Sequence, residues 1–114
     1  MIRIFMTGDN HIGLKYASHE NAGILAESRI NAFAGMVEEA NSEKCDLFVI
    51  TGDLFENTYS IPKKTVAAVV ELLAGFHGTV AILPGNHDYY DKDAKLWQDF
   101  RSLISARDNI MLLT

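Results

Sequence analysis

The chain has 114 residues, enough for one domain and too few for two. Its net charge of −5 counts against a DNA-binding module built on a basic patch, and less against a metal-dependent nuclease, whose site carboxylates are neutralised by bound cations. The single cysteine, Cys45, excludes an intramolecular disulfide and a thiolate metal cluster. No apolar run approaches the roughly 18 residues of a membrane helix. We therefore predict a globular domain with a cytoplasmic location and no membrane partner.

Four short apolar runs predict β-strands, at residues 2–7, 46–51, 79–83 and 109–113. The first combines β-branched and aromatic residues and stops at Gly8. Runs that lack polar alternation favour parallel strands buried on both faces of a sheet.

Three stretches with apolar residues at helical spacing lie between these strands. The first covers roughly residues 24–44 and the third residues 97–104. The second begins at Pro62 and ends at Gly75 or Gly78, the positions that these residue types favour. The resulting order, β-α-β-α-β-α-β, predicts an α/β fold with a parallel sheet.

Polar residues follow each of the first three strands directly. They form three clusters: Gly8-Asp9-Asn10-His11, Gly52-Asp53, and Gly85-Asn86-His87-Asp88. Because parallel strands share one direction, the clusters should meet at one edge of the sheet. Asp9 and His11 are two apart, so an extended backbone would point both side chains the same way. Each of the first two clusters alone is more typical of a polar turn, and the third fits a turn and a site equally well. The three in succession favour a binding site.

Carboxylate, imidazole and amide groups on one rim indicate a mixed nitrogen and oxygen metal site. Mn²⁺, Fe²⁺ and Zn²⁺ all accept that set of ligands. One carboxylate can bridge two ions about 3.5–4 Å apart, the spacing used for displacement at phosphorus. Asp53, in the central cluster, is the candidate for this bridge.

The three clusters resemble the first three motifs of the calcineurin-like metallophosphoesterases, over residues 1 to about 90. The resemblance implies two divalent ions, with Mn²⁺ as the favoured metal. Asp9, His11 and Asp53 would bind one ion, and Asp53 and Asn86 would bind the other. It also implies that His87 is a catalytic acid whose ring Asp88 orients. The implied fold is a four-layer α-β-β-α sandwich, of which residues 1–114 are expected to form the N-terminal part, with the C-terminal half absent.

Finer features are similar to the DNA repair nucleases of the SbcD type. These are Asp-x-His-Ile-Gly-Leu-Lys from Asp9, then Arg29 and Phe33, then Gly-Asp-Leu-Phe from Gly52. The resemblance implies DNA as substrate, an SMC-like ATPase partner and a homodimer. The sequence departs from the pattern of these nucleases at two positions. Glu56 stands where many relatives carry Asp or His, and Gly8 stands where Ser is usual.

Two alternative functions remain open from the sequence. One is a phosphodiesterase acting on a nucleotide or other small molecule with the same site. The other is a non-catalytic scaffold of the same fold, against which the presence of His87 argues. The family carries further histidine motifs downstream, and none follows His87 here. Residues 1–114 alone are therefore expected to be inactive.

Overall fold

The structure is a computed structural model that describes residues 2–13 and 22–114, with backbone alone at residues 22–26. Strands and helices alternate along the chain: β1 (Ile4–Thr7), α1 (Ala22–Ser42), β2 (Leu47–Ile50), α2 (Lys63–Ala74), β3 (Thr79–Ile82), α3 (Lys95–Ile104) and β4 (Ile110–Leu112). The predicted α/β order is confirmed. Residues 8–23 show no clear helical or strand pattern, which predicts a long loop after β1, and part of this segment falls outside the described residues.

The four strands form one parallel sheet in the order β1-β2-β3-β4. Each strand is joined to its neighbour by a connection that contains a helix. Such crossovers are right-handed in nearly all proteins. When the strand order runs in one direction, this handedness places successive helices on the same side of the sheet.

The core lies on the face of the sheet that carries Phe48. Phe33 of α1 packs edge-on against Phe48, with ring centroids 6.1 Å apart, and Phe76, after α2, lies 5.6 Å away. Trp97 and Phe100 of α3 are fully buried in the same cluster, so they are core residues and not an exposed stacking surface. None of the helices in the described part of the chain is long and apolar enough to cross a lipid bilayer.

The opposite face of the sheet carries exposed apolar side chains. Ile4 and Met6 of β1 are 52% and 65% exposed, and Met111 of β4 is 45% exposed. The helices therefore cover one face of the sheet, and the second face that these apolar strands favour burying is exposed at β1 and β4. An unbroken apolar run indicates only that both faces of a strand can be buried. The strand order decides which face of the sheet the helices pack against.

Candidate metal centre

The carboxyl ends of β1 and β2 remain joined beyond the sheet by backbone hydrogen bonds. The amide of Asp9 donates to the carbonyl of Gly52 at 3.0 Å, and that of His11 donates to the carbonyl of Asp53 at 3.0 Å. Ile12 continues this pairing with a bond to Leu54 at 2.9 Å. The first two polar clusters are thus fixed side by side, as the shared direction of the strands predicts.

Three of the predicted site residues adopt left-handed backbone. The φ angles of Asp9, His11 and Asp53 are 53°, 49° and 54°. This region is sparsely populated by residues other than glycine, and such strain tends to cluster at functional sites. The expectation that Asp9 and His11 lie in extended chain is wrong. The tight turns instead allow the backbone to pair with the β2 loop.

Three side chains converge at this edge of the sheet. His11, Asp53 and His87 each present a ligand atom, and these atoms all lie within 4.8 Å of one another. Nδ1 of His87 lies 3.3 Å from Oδ2 of Asp53, and the rings of His87 and His11 meet edge-on with centroids 5.0 Å apart. Two imidazoles around one carboxylate are a donor set that borderline divalent cations accept, so these residues fit the implied metal.

Two opposing effects act on the carboxyl group of Asp53. Burial raises its pKa, since a charged group loses hydration. The backbone amide of His87 donates to Oδ1 at 2.8 Å, and the ring of His87 and the charge of His11 also favour the ionised form. Together these contacts hold the pKa of Asp53 below its ordinary value. The carboxylate is thereby kept in the form that binds a cation.

Asp9 and Asn86 are the two other predicted metal ligands. The side chain of Asp9 is 82% exposed, and its Oδ1 lies 3.9 Å from Nε2 of His11. Asn86 is exposed in the loop that also carries His87. The structure thus brings His11 and Asp53 together with His87, for which the family resemblance implies proton donation, and the metal-binding roles of Asp9 and Asn86 stay predictions.

Asp88 is fully buried, and its carboxylate accepts three backbone hydrogen bonds. Oδ1 receives the amides of Gly85 at 2.7 Å and Asp53 at 3.2 Å, and Oδ2 receives the amide of Phe55 at 3.0 Å. In this structure Asp53 contacts the ring of His87, while Asp88 joins the loops after β2 and β3. The expected role of Asp88, orienting the ring of His87, stays a prediction. A buried carboxylate needs several donors, and the turn amides supply them.

The absence of a side chain at Gly85 brings these two loops into contact. A Cβ atom there would lie 2.4 Å from Oδ1 of Asp53 and 2.5 Å from its amide nitrogen. The departure at Gly8 also has a steric account, since a Cβ there would lie 2.5 Å from Oγ1 of Thr51. Serine at position 8 would require Thr51 to move.

Sequence reasoning assigned no role to Glu56 and did not specify one for Arg29. Oε2 of Glu56 lies 2.8 Å from Nδ1 of His11. Arg29 of α1 donates to the backbone carbonyl of Asn10 at 3.1 Å, so it ties the helix to the first cluster. Because Glu56 lies only three residues after Asp53, its sequence position indicated that it could lie near the site. Only the turn geometry shows that its side chain contacts His11.

A family model described as calcineurin-like phosphoesterase matches residues 2–112. The match covers all four strands and three helices, together with each of the three polar clusters. The convergence of His11, Asp53 and His87 agrees with a family whose members use divalent metal ions. The chain therefore belongs to the calcineurin-like phosphoesterase family, which implies metal-dependent hydrolysis of phosphoesters.

Proposed function

We propose that this protein is a DNA repair nuclease of the SbcD type that hydrolyses phosphodiester bonds. The observation that carries the proposal is the convergence of His11, Asp53 and His87 at one edge of the sheet, within a chain of the matched family. The Gly-Asp-Leu-Phe sequence that begins at Gly52 supports the nuclease branch. Leu54 and Phe55 of that sequence are fully buried, so they anchor the loop that carries Asp53.

In this proposal Asp9, His11, Asp53 and Asn86 hold two divalent ions, Mn²⁺ in the first instance. When bound, such ions polarise the phosphate oxygens and lower the pKa of the attacking water. The low pKa of Asp53 keeps its carboxylate ionised for this purpose. Asp88 acts indirectly, by fixing the backbone around Asp53.

His87 is the proposed proton donor to the departing oxygen. Its side chain is 54% exposed, and its Nδ1 lies beside Asp53. This arrangement leaves Nε2 as the nitrogen that can reach a substrate from the solvent side. A positioned general acid typically contributes ~10²–10⁴ in rate.

Exposed aromatic side chains on the same two loops support a nucleic-acid substrate. Tyr59 is 86% exposed and Tyr89, the residue after Asp88, is 55% exposed. Bases stack on such rings with little dependence on sequence. Both residues follow a site cluster closely, so they are candidates for contact with DNA beside the scissile phosphate.

The test is a substrate comparison with the complete protein in Mn²⁺. Labelled duplex DNA, single-stranded DNA, cyclic nucleotides and bis(p-nitrophenyl) phosphate are assayed side by side, with EDTA and Asp53→Asn as negative controls. The proposal expects DNA cleavage that both controls abolish, with much lower kcat/KM on cyclic nucleotides. Efficient hydrolysis of cyclic nucleotides without DNA cleavage would refute the nuclease assignment.

That second result would identify a small-molecule phosphodiesterase. The net charge of −5 is the observation that favours this alternative, because DNA-binding surfaces are usually basic. Absence of turnover on every substrate would favour the non-catalytic scaffold. The nuclease proposal also includes a cytoplasmic SMC-like ATPase partner and a homodimer, which co-purification and light scattering of the complete protein would test.

A further inference from the structure

Glu56 makes a close contact with the candidate ligand His11. Oε2 of Glu56 lies 2.8 Å from Nδ1 of His11, and the two side chains are only 25% and 23% exposed. On the other side of the ring, Nε2 of His11 lies 3.9 Å from Oδ1 of Asp9. The imidazole therefore has one nitrogen facing Glu56 and the other facing Asp9.

The backbone fixes this contact independently of the two side chains. The amide of Glu56 donates to the carbonyl of Ile12 at 2.9 Å, and Ile12 forms a parallel bridge with Phe55. Ile12 and Phe55 are both fully buried. Because His11 and Glu56 directly adjoin this buried pair, the turn geometry determines their proximity.

Nδ1 of His11 is buried, and its N–H direction is not aligned with an acceptor among the described residues. The distance to Glu56 is that of a hydrogen bond, so the misalignment lies in the angle. A buried polar nitrogen left without a directed partner is costly, which favours a ring rotation that aligns Nδ1 with Glu56.

A neutral histidine binds a metal through one nitrogen while the other carries the proton. Carboxylates commonly accept that proton and so fix the tautomer and the ring orientation. We infer that Glu56 is a positioning residue that holds the proton on Nδ1 of His11 and directs Nε2 toward a divalent cation. The inference rests on the proposed function, because it requires His11 to be a metal ligand.

The contacts of the second histidine distinguish this role from an action on the proton donor. Nδ1 of His87 faces Asp53 at 3.3 Å, while Glu56 faces His11. Glu56 should therefore affect metal binding through His11. It should have little direct effect on the ring of His87.

The first measurement is the tautomer of His11 in the metal-free complete protein, read from long-range ¹H–¹⁵N correlation spectra at a pH where the ring is neutral. The wild type should carry its proton on Nδ1. Glu56→Ala should show a mixture of tautomers or the Nε2–H form. Glu56→Gln, which keeps the volume, guards against a variant that fails to fold.

The second measurement is Mn²⁺ affinity by calorimetry. Removing a carboxylate of this kind typically weakens metal binding by about 10–100-fold, which is the expected effect of Glu56→Ala. Glu56→Asp should recover part of the loss. The matched control is Glu43→Ala, which removes an exposed carboxylate paired with Arg3 before β2 and should bind Mn²⁺ like the wild type.

A failure of the role assigned to Glu56 and a failure of the proposed function would be distinguishable. If the wild type binds Mn²⁺ and Glu56→Ala binds it equally well with an unchanged tautomer, the role of Glu56 is refuted while the proposed function stands. If the wild type binds neither Mn²⁺, Fe²⁺ nor Zn²⁺, the proposed function fails and the role of Glu56 in metal binding fails with it. A changed leaving-group dependence of turnover with intact metal affinity would also overturn the inference, since it would place Glu56 with His87.

Discussion

The buried carboxylate of Asp88 accepts a hydrogen bond from the backbone amide of Asp53 at 3.2 Å, across 35 residues of sequence. The same carboxylate also accepts hydrogen bonds from the backbone amides of Phe55 and Gly85. The loop that carries Asp53 and the loop that carries His87 are thereby joined by one side chain. Stability and site geometry are coupled at this point.

Replacement of Asp88 by Ala should therefore destabilise the fold. A buried donor without a partner costs about 1–3 kcal/mol, so we expect a loss of roughly 2–4 kcal/mol with partial compensation by water. Urea unfolding of the metal-free protein measures this loss. Asp108→Asn, at an exposed position, is the control and should change stability by less than about 0.5 kcal/mol. Equal stability of the two variants would contradict the assigned role of Asp88.

Gly85→Ala should weaken metal binding, because the new Cβ would lie 2.4 Å from Oδ1 of Asp53 and the two loops would have to separate. We expect Mn²⁺ affinity to fall about tenfold or more, as it does when a residue that holds a metal ligand in place is removed. Gly35→Ala is the matched control, since no atom lies within 4 Å of its Cβ and α1 is helical there. That variant should gain roughly 0.5–1 kcal/mol of stability. An unchanged Mn²⁺ affinity of Gly85→Ala would contradict this prediction, because it would show that a side chain at position 85 does not disturb Asp53.

The pKa of Asp53, lowered in the folded protein, predicts a defined pH dependence. A carboxyl group whose folded pKa lies below its unfolded value stabilises the fold above the unfolded pKa, near 3.8. That contribution is lost as the pH falls through the folded pKa. In EDTA, Asp53→Asn should accordingly lose less stability than the wild type as the pH falls below about 4. Parallel pH profiles of the unfolding free energy would contradict the inferred shift.

Asn86 and His87 are adjacent, and their alanine variants should separate metal binding from proton transfer in the complete protein. Asn86→Ala should weaken both Mn²⁺ binding and turnover, because it removes a proposed ligand. His87→Ala should keep metal binding and slow DNA cleavage by about 10²–10⁴-fold. A nitrophenyl phosphodiester needs less protonation of its leaving group, so its hydrolysis should suffer less.

The convergence of His87 with His11 and Asp53 makes this experiment decisive. Loss of Mn²⁺ affinity in His87→Ala would make His87 a ligand and overturn its role as the acid. An equal loss of rate on both substrates would also reject proton donation. Calorimetry and the two kinetic assays are therefore required together.

The exposed face of the sheet should promote self-association of the 114-residue chain. Met6 and Met111 lie on this face in one row across the sheet, with Val49 and Ala81 between them. The double variant Met6→Lys, Met111→Lys should shift sedimentation profiles toward the monomer, since charges oppose burial of an apolar face. Gln98→Lys, at an exposed position of α3, is the control and should leave association unchanged. A wild-type chain that is monomeric at every concentration would contradict this expectation.

The order of the elements followed from local sequence. Helical spacing, apolar runs and the residues Pro62 and Gly75 are read over a few neighbouring positions, and the structure places α2 between these two residues. The site's location followed as well, because parallel strands deliver their carboxyl ends to one edge. Glycine and polar residues after each strand then indicated which loops carry chemistry.

Contacts between distant residues were decided by the tertiary structure. The family resemblance implies that Asp88 orients the ring of His87, and it gave no sign that backbone amides from two loops would donate to this carboxylate. The contact of Glu56 with His11 depends on left-handed backbone at His11, which residue identity does not specify. The sequence determined the elements and the chemical groups at the site. Three-dimensional packing decided their pairing, because hydrogen-bond partners are selected by position in space.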